Sequence, residues 1–225
     1  MWMGGAEALE TLEFVTSSQT TTTTLTAPAD IQAGDFLVIL QRASSYPGGT
    51  PSTVTPSGFS EAVNTNGTGA GVNTRQILNY KIADGTEASA NFTIMNGSDS
   101  GYDPDERGLF LVFRANVPLA SASLQDPDGQ FTTGNPTAQT ITSGSGTPPL
   151  IAIGTYGAFN SITTPTMSPT EDGTVSSTTT GTNDISLKYK IYNVGDSPAN
   201  VSVDMGDAGG ESNNILQSCY FNLAA

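Results

Sequence analysis

Short apolar segments recur along the whole chain and are separated every few residues by glycine or proline. Two of them, residues 36–40 (FLVIL) and 109–113 (LFLVF), are continuously apolar, which predicts strands buried on both faces. Others alternate, as in Val201-Ser202-Val203, and predict strands with one face toward water. Apolar residues rarely recur at helical spacing. The pattern therefore predicts an all-β protein, a jelly-roll-like β-sandwich.

The predicted strands lie near residues 12–15, 21–25, 36–40, 59–63, 74–82, 90–94, 109–114, 139–141, 150–155, 184–192, 201–204 and 216–223.

A weak internal repeat indicates two related halves. Tyr80-Lys81-Ile82 reappears as Tyr189-Lys190-Ile191, and at the same spacing residues 90–94 resemble residues 199–203. An apolar strand follows both copies. The alternative is a chance similarity in a chain rich in Ser, Thr and Asn.

The predicted organisation is an N-terminal arm, residues 1–11, and a β-sandwich domain, residues 12–225. Its related halves span about 12–124 and 130–225, divided at the Pro-, Gly- and Asp-rich stretch 125–129. The halves either interleave into one sandwich or fold as two small sandwiches. We favour one sandwich, because so small a half with few apolar residues would bury a thin core.

The net charge and the composition indicate which classes of partner are disfavoured and that the chain is folded. The net charge is −14, from 21 acidic and 7 basic residues. A field of that sign repels phosphate, so we expect no binding to free nucleic acid and none to anionic membrane surfaces. Only 36% of residues are hydrophobic, but only 12% are charged, and the recurring apolar segments favour a folded chain over a disordered one.

The residue types that most often carry catalysis are scarce. The chain has no histidine, which excludes Ser-His-Asp and Cys-His nucleophiles and histidine-bound metals. The single cysteine, Cys219, lies in an apolar run and is interpreted as a packed strand thiol. We therefore predict no catalytic residues and no cofactor.

No apolar run is long enough to span a bilayer, so we expect no membrane insertion. The N-terminus lacks a basic region followed by a long apolar core, so no secretory signal is expected either. These patterns predict a protein made in the cytoplasm that reaches any outer location by another route, such as incorporation into a particle.

Acidic residues beside glycine or proline offer the only metal candidates. Asp204, Asp207 and Glu211 flank glycines and are weak calcium candidates, since calcium prefers several oxygen ligands on a flexible loop. The stretches 103–106 and 126–129 are similar. None has EF-hand spacing, so we interpret them as solvated turn carboxylates and predict no metal site.

Two further features concern binding. Trp2 and Met3 lie on the N-terminal arm and are candidates for an interface with a neighbouring subunit, because aromatic and Met residues are favoured there. The alternative is that the arm packs back on its own domain. The Ser-, Thr-, Gly- and Pro-rich segments 142–149 and 161–184 are predicted loops, where binding functions usually lie.

A glycosidase would need a pair of facing carboxylates, and only Glu61 has a plausible strand context.

The chain resembles tailed-bacteriophage virion proteins. The similar segments are AGDFLVIL at residues 33–40, in which a Gly-Asp turn leads a buried strand, and the turn PSGF at residues 56–59. YKIADGTE at residues 80–87 and NILQSCYF at residues 214–221 are similar to the later strands. Such proteins are head decoration proteins, head fibres or tail components, and many form symmetric assemblies.

The resemblance implies a non-enzymatic virion structural protein, a capsid decoration or head-fibre-like subunit. Its expected partners are other virion proteins and further copies of this chain, and its expected location is the virion. The alternative is a tail-associated module that binds a host carbohydrate or receptor. The third hypothesis is an enzyme that acts on polysaccharide.

Overall fold

The computed structural model describes residues 11–45, 49–69, 71–97, 106–133, 138–142, 146–159, 166–177, 183–204 and 213–225. Within these ranges the chain forms β-strands and no helix. The strands are β1 (Leu12–Thr20), β2 (Thr24–Thr26), β3 (Phe36–Ser45), β4 (Ser60–Gly69), β5 (Val72–Ile82), β6 (Asn91–Thr93), β7 (Glu106–Ala115), β8 (Ser121–Thr132), β9 (Gln139–Ile141), β10 (Leu150–Phe159), β11 (Thr166–Ser168), β12 (Gly173–Ser177), β13 (Asn183–Tyr192), β14 (Val201–Asp204) and β15 (Asn214–Ala224).

Two five-stranded antiparallel sheets form the centre of the molecule. The first has the strand order β1-β7-β3-β5-β4 and the second has the order β12-β13-β10-β15-β8. The prediction of an all-β sandwich is confirmed, while the jelly-roll detail stays a prediction. Each large sheet contains strands from one half of the chain only. The halves therefore do not interleave within a sheet.

The two halves have the same strand order. Along the chain, the strands of the first sheet come in the order β1, β3, β4, β5, β7, and those of the second in the order β8, β10, β12, β13, β15. When the strands are matched in this chain order, both sheets have the same spatial order, β1-β7-β3-β5-β4 and β8-β15-β10-β13-β12. The segments of the sequence repeat occupy matched strands, since Tyr80-Lys81-Ile82 ends β5 and Tyr189-Lys190-Ile191 lies in β13. The repeat in sequence is therefore also a repeat in topology.

The inner faces of the two large sheets share one aromatic core. The ring centroids of Tyr80 and Phe221 lie 4.7 Å apart, and those of Phe113 and Tyr189 lie 5.0 Å apart. Because Tyr80 and Tyr189 lie on matched strands, as do Phe113 and Phe221, this is one contact made twice. Phe36 adds a contact to Phe221 at 5.0 Å. The halves thus pack as the protomers of a two-fold dimer do.

Short sheets cover the outer faces. Strands β2 and β6 pair beside the first large sheet, and β11, β14 and β9 form a three-stranded sheet beside the second. Alternate residues of β3 enter different layers: Phe36, Val38 and Leu40 join the inner core, whereas Leu37 and Ile39 join the outer one. Burial on both faces explains the continuous apolar runs and confirms that prediction for residues 36–40 and 109–113.

Strand β8 shows that the predicted division between the halves is wrong. Residues 125–129, predicted as the division between the halves, lie inside β8, and the chain crosses between the large sheets at residues 116–120. The ladder with β15 shifts register here, and Asp126 has φ 48, which together define a β-bulge. Pro127 is accommodated because β8 is an edge strand.

The segment 161–184, predicted as a loop, contains two further strands. Strand β11 pairs with β14, and β12 is the edge of the second large sheet. Strand β12 is rich in Gly, Thr and Ser, and β11 places one side chain, Met167, in the core, so neither strand has the apolar composition of a core strand.

One end of the central core is polar and joins the two halves. The Nε2 atom of Gln217 donates to Thr65 Oγ1 at 3.1 Å and to the carbonyl oxygen of Gln76 at 2.9 Å. Its Oε1 atom accepts from Gln76 Nε2 at 3.2 Å and from Thr155 Oγ1 at 3.1 Å. All four hydrogen-bonding positions of this buried amide are therefore occupied.

We predict that Gln217→Leu lowers the free energy of unfolding by about 2–3 kcal/mol, because it leaves buried partners without their hydrogen bonds. The matched control is Gln125→Leu, since Gln125 is half-buried and its side chain donates a hydrogen bond to the exposed Ser123 Oγ at 2.8 Å. The control is expected to change stability by less than about 0.5 kcal/mol. Urea unfolding measures both, and equal effects would contradict a specific role for Gln217.

Candidate functional site

Of the residues predicted as interface or calcium candidates, only Asp204 lies in the described ranges. Trp2, Met3, Asp207 and Glu211 lie outside the residues that the structure describes. Asp204 ends β14, where it is half-buried and opposite Thr166. Among the described residues, no group of three or more His, Cys, Asp or Glu side chains is arranged to hold a metal ion.

The acidic stretch of β8 is part of a strand rather than a turn. Asp126 Oδ2 accepts a hydrogen bond from the backbone N–H of Thr142 at 2.7 Å. Asp128 Oδ1 accepts from the backbone N–H of Gly129 at 2.8 Å. Thr142 directly follows β9, so the Asp126 carboxylate connects the free edge of the second large sheet to the edge of the three-stranded sheet.

A polar groove of about 540 Å³ lies between β8 and β9. In the ladder with β15, Gln130 is opposite Leu216 and Asp128 is opposite Ser218. Opposed side chains lie on the same face of a sheet, so Asp128 and Gln130 lie on the face covered by the three-stranded sheet. The groove is lined by Asp128, Gly129, Gln130, Ala138, Gln139 and Thr140.

Two glutamine residues that line this groove have amide atoms buried from solvent, without a hydrogen-bond partner in the described part of the chain. Gln139 is only 6% exposed, and neither its Nε2 nor its Oε1 atom has a hydrogen-bond partner in the part of the chain that the structure describes. The buried Oε1 atom of Gln130 likewise has none there. Gln139 is opposite Val203 in the ladder with β14, and therefore faces the second large sheet.

No site was predicted at this groove, although the sequence contains one signal for it. Gln139 and Ile141 are two residues apart in a predicted strand, so they share a face. Ile141 is an obvious core residue, and a glutamine at the neighbouring position on the same face is a polar group placed where burial is expected. No such signal existed for Gln130, because β8 was not predicted as a strand.

The groove does not resemble a glycosidase site. Asp128 is the one carboxylate among the described residues that line it, whereas sugar hydrolysis needs two facing carboxyl groups. Glu61, the other carboxylate that the sequence indicated, is exposed on β4 and accepts a hydrogen bond from Asn64 Nδ2 at 3.1 Å. The polysaccharide-acting hypothesis therefore gains no support from this geometry.

A buried cation also joins the halves. Arg42 is fully buried, and its Nη2 atom donates to the carbonyl oxygen of Asn213 at 2.8 Å. Loss of hydration on burial lowers the pKa of Arg42 to about 9, although Tyr156 and Asp184 act in the opposite direction. The side chain is still protonated at neutral pH, so it serves as a charged connection between β3 and the start of β15.

Cys219 is buried in the central core, where burial raises the pKa of its thiol. A thiol held protonated and away from solvent is a poor nucleophile. This placement agrees with a packed strand thiol.

We predict that a chromogenic disulfide reagent at pH 8 does not label Cys219 in the native protein and labels it fully in denaturant, because only unfolding exposes the thiolate. Absorbance after reagent addition measures the reaction. Rapid labelling of the native chain would show that the packing around Cys219 is open.

Comparison with known proteins gives no relative: no protein-family model, curated protein or solved structure matches the chain. Within the described residues, no helix is long and apolar enough to cross a membrane.

Proposed function

We propose that this chain is a non-enzymatic structural subunit of a tailed-bacteriophage particle, a capsid decoration or head-fibre-like protein located in the virion. The observation that carries the proposal is that the segments resembling phage virion proteins form the framework of the sandwich. Residues 33–40 lead through a turn into β3, the middle strand of the first large sheet. Residues 214–221 belong to β15, beside the middle of the second.

The Gly-Asp turn connects the start of β3 to β7 through hydrogen bonds. Gly34 adopts φ +86, and the Asp35 side chain, 2% exposed, accepts hydrogen bonds from Arg114 Nε at 2.8 Å and Arg114 Nη2 at 2.7 Å. The hydrogen bond to Asp35 raises the pKa of Arg114. Asp35 Oδ2 also accepts from the backbone N–H of Gln32 at 2.8 Å. The motif thus fixes the entry of β3 against β7, as a rigid scaffold requires.

The second turn of the resemblance positions an aromatic anchor. After Gly58, at φ +81, Phe59 enters the outer core of the first half. Its ring centroid lies 5.4 Å from that of Phe92 and 6.1 Å from that of Phe110. The two turn motifs that resemble phage virion proteins therefore form turns and position core residues, which favours a structural role over a catalytic one.

The surface supports an outer position on a particle. Val194 is the one exposed large hydrophobic side chain among the described residues. A net charge of −14 repels packaged DNA, so contact with the outer shell is favoured over contact with the genome. We propose other virion proteins and further copies of this chain as its partners, in contact through polar surfaces.

The proposal is tested with particles from a phage that lacks this gene. The purified chain, analysed by sedimentation velocity, is expected to form a homo-oligomer. It is also expected to co-sediment saturably with the deletion particles and not with wild-type particles, whose positions are occupied. A chain that stays monomeric and binds neither kind of particle would contradict the proposal.

A tail-associated module that binds a host carbohydrate or receptor is the second candidate. The observation that favours it is the polar β8–β9 groove at the edge of the second large sheet. The two roles are compatible, since a virion subunit can also bind a glycan.

A further inference from the structure

We propose that residues 63–68 of β4, here called the β4 edge, pair with the β4 edge of a second copy of this chain in an antiparallel, two-fold arrangement. The first large sheets of the two copies would then form one continuous sheet. The inference rests on the proposed function in one respect, the contact between copies of the chain, and it names the surface that makes this contact.

The outermost strand of a sheet has a row of backbone N–H and C=O groups that can pair with another chain. The outermost strands of the two large sheets are β1, β4, β8 and β12. Proteins block such strands with bulges, proline, charged side chains, short length or a covering element. The strand that lacks these features is therefore the one at which a second chain can add.

Three of the four strands are blocked. Strand β8 has a bulge at Asp126 followed by a proline, and β12 has only five residues. Strand β1 has a bulge between Phe14 and Thr16. In addition, Ser18 Oγ donates a hydrogen bond to the carbonyl oxygen of Thr26, so β2 covers part of β1. These features disfavour strand addition at β1, β8 and β12.

The β4 edge lacks these features. It begins after the bulge between Glu61 and Val63, and from there β4 pairs with β5 in regular register. Its sequence, VNTNGT, contains no charged residue and no proline. It ends before Gly69, whose carbonyl oxygen accepts a hydrogen bond from Asn213 Nδ2 at 3.2 Å. Within the part of the chain that the structure describes, β5 is the one strand paired with it.

The side chains of the β4 edge favour a second copy as the partner. Asn64, Asn66 and Thr68 are exposed and lie on one face of the strand. Antiparallel pairing of the segment with itself places this row beside the same row of the other copy. Amide and hydroxyl groups both donate and accept hydrogen bonds, so the two rows are complementary.

Charge supports the same partner. Each copy has a net charge of −14, so two copies repel each other wherever their carboxylates face. An uncharged edge is the place where this repulsion is smallest. A basic partner strand, in contrast, would find no carboxylate in residues 63–68 with which to pair.

Sedimentation velocity of the whole purified chain over a series of concentrations tests the proposal. A reversible dimer is expected, and it should become more stable at roughly 1 M salt, where the Debye length is about 3 Å and repulsion between the acidic copies is screened. A chain that stays monomeric at every concentration and at both low and high salt overturns the proposal.

Asn66→Glu is expected to weaken dimerisation about tenfold or more, because it places like charges side by side in the middle of the contact. Arg75 lies opposite Asn66 on β5, so the new carboxylate has a cationic neighbour in its own chain and the fold is kept. Gln19→Glu makes the same charge change at an exposed position of β1 and should leave the dimer unchanged. Protection of Cys219 from the thiol reagent verifies the fold of both variants. Dimerisation of a folded Asn66→Glu chain as tight as that of Gln19→Glu overturns the proposal.

Cysteine variants provide a second measurement. Because Cys219 is buried, a thiol introduced at the surface is the reactive one. At least one of Asn64→Cys, Asn66→Cys and Thr68→Cys is expected to give a disulfide-linked dimer on mild oxidation, whereas Gln19→Cys is not. Cross-linking of the three variants in particles to a different virion protein, and not to a second copy, would overturn the choice of partner.

The two proposals fail separately. A monomeric chain that is present in particles overturns the β4 contact and keeps the structural role. A dimer that is lost in Asn66→Glu, formed by a chain that is absent from particles, keeps the β4 contact and overturns the structural role.

Discussion

Replacing Phe221 with alanine is expected to lower the free energy of unfolding by about 3–5 kcal/mol. Phe221 is fully buried on β15 and contacts Phe36 and Tyr80 across the central core. Those partners belong to the first half of the chain, whereas Phe221 belongs to the second. The substitution therefore leaves a cavity between the halves, and neither sheet can close it without moving against the other.

The structure provides matched comparisons for this prediction. Phe113→Ala removes the equivalent ring from the repeated contact with Tyr189 and is expected to have a similar effect. Phe92→Ala is the control, because Phe92 is only partly buried and lies in the outer core of one half, so a smaller loss is expected. Urea unfolding followed by fluorescence and circular dichroism measures all three. Two separate transitions in the native chain would show that the halves do not share one core.

The second large effect is expected for Gly34→Ala, at about 3 kcal/mol or more. A Cβ atom at this position would lie 2.6 Å from the Cα of Pro118 and 2.9 Å from the backbone N of Leu119. Backbone atoms cannot move aside as the end of a flexible side chain can. The residue also has φ +86, a left-handed conformation that disfavours any side chain.

Gly195→Ala separates these two causes. Gly195 has φ +95, but no atom lies within 4 Å of the Cβ that would be added. This variant carries the conformational cost alone, about 1–2 kcal/mol. Thermal and urea unfolding compare the two variants. Equal losses would mean that the close approach of residues 118–119 to the Gly-Asp turn contributes nothing to stability.

Strands with strong apolar character were predictable, whereas the edge strands β8, β11 and β12 were not. The alternation in Val201–Asp204 predicted that strand with its observed bounds, and the short edge strand Gln139–Ile141 was also predicted with its observed bounds. Strand β8 was missed because proline and glycine inside it signal a turn, and only its edge position and bulge make them compatible with a strand. The alternation of apolar and polar residues in β8 is a weaker signal than the proline and glycine inside it.

The repeat was visible in sequence, but its spatial meaning was not. Matching segments such as Tyr80-Lys81-Ile82 and Tyr189-Lys190-Ile191 show that two halves are related, but they do not show which faces meet. The answer depends on long-range packing, namely the contacts of Tyr80 with Phe221 and of Phe113 with Tyr189. These pairs are far apart in the chain, so no local pattern reports them.

The candidate groove could not be predicted because it lies between two sheets. Gln130 and Gln139 are close in sequence, but they belong to different sheets, and their burial depends on how the three-stranded sheet lies on the second large sheet. The acidic residues that sequence singled out instead are common turn formers. Glutamine has no comparable preference for turns, so the sequence does not single out these two residues, and their place in the groove is evident only from the structure.

Counting the copies of this chain in purified phage particles, by quantitative mass spectrometry, tests whether it is a virion structural subunit. We predict many copies, in a fixed ratio to the major capsid protein. Absence of the chain from particles in which the other structural proteins are all detected would contradict it.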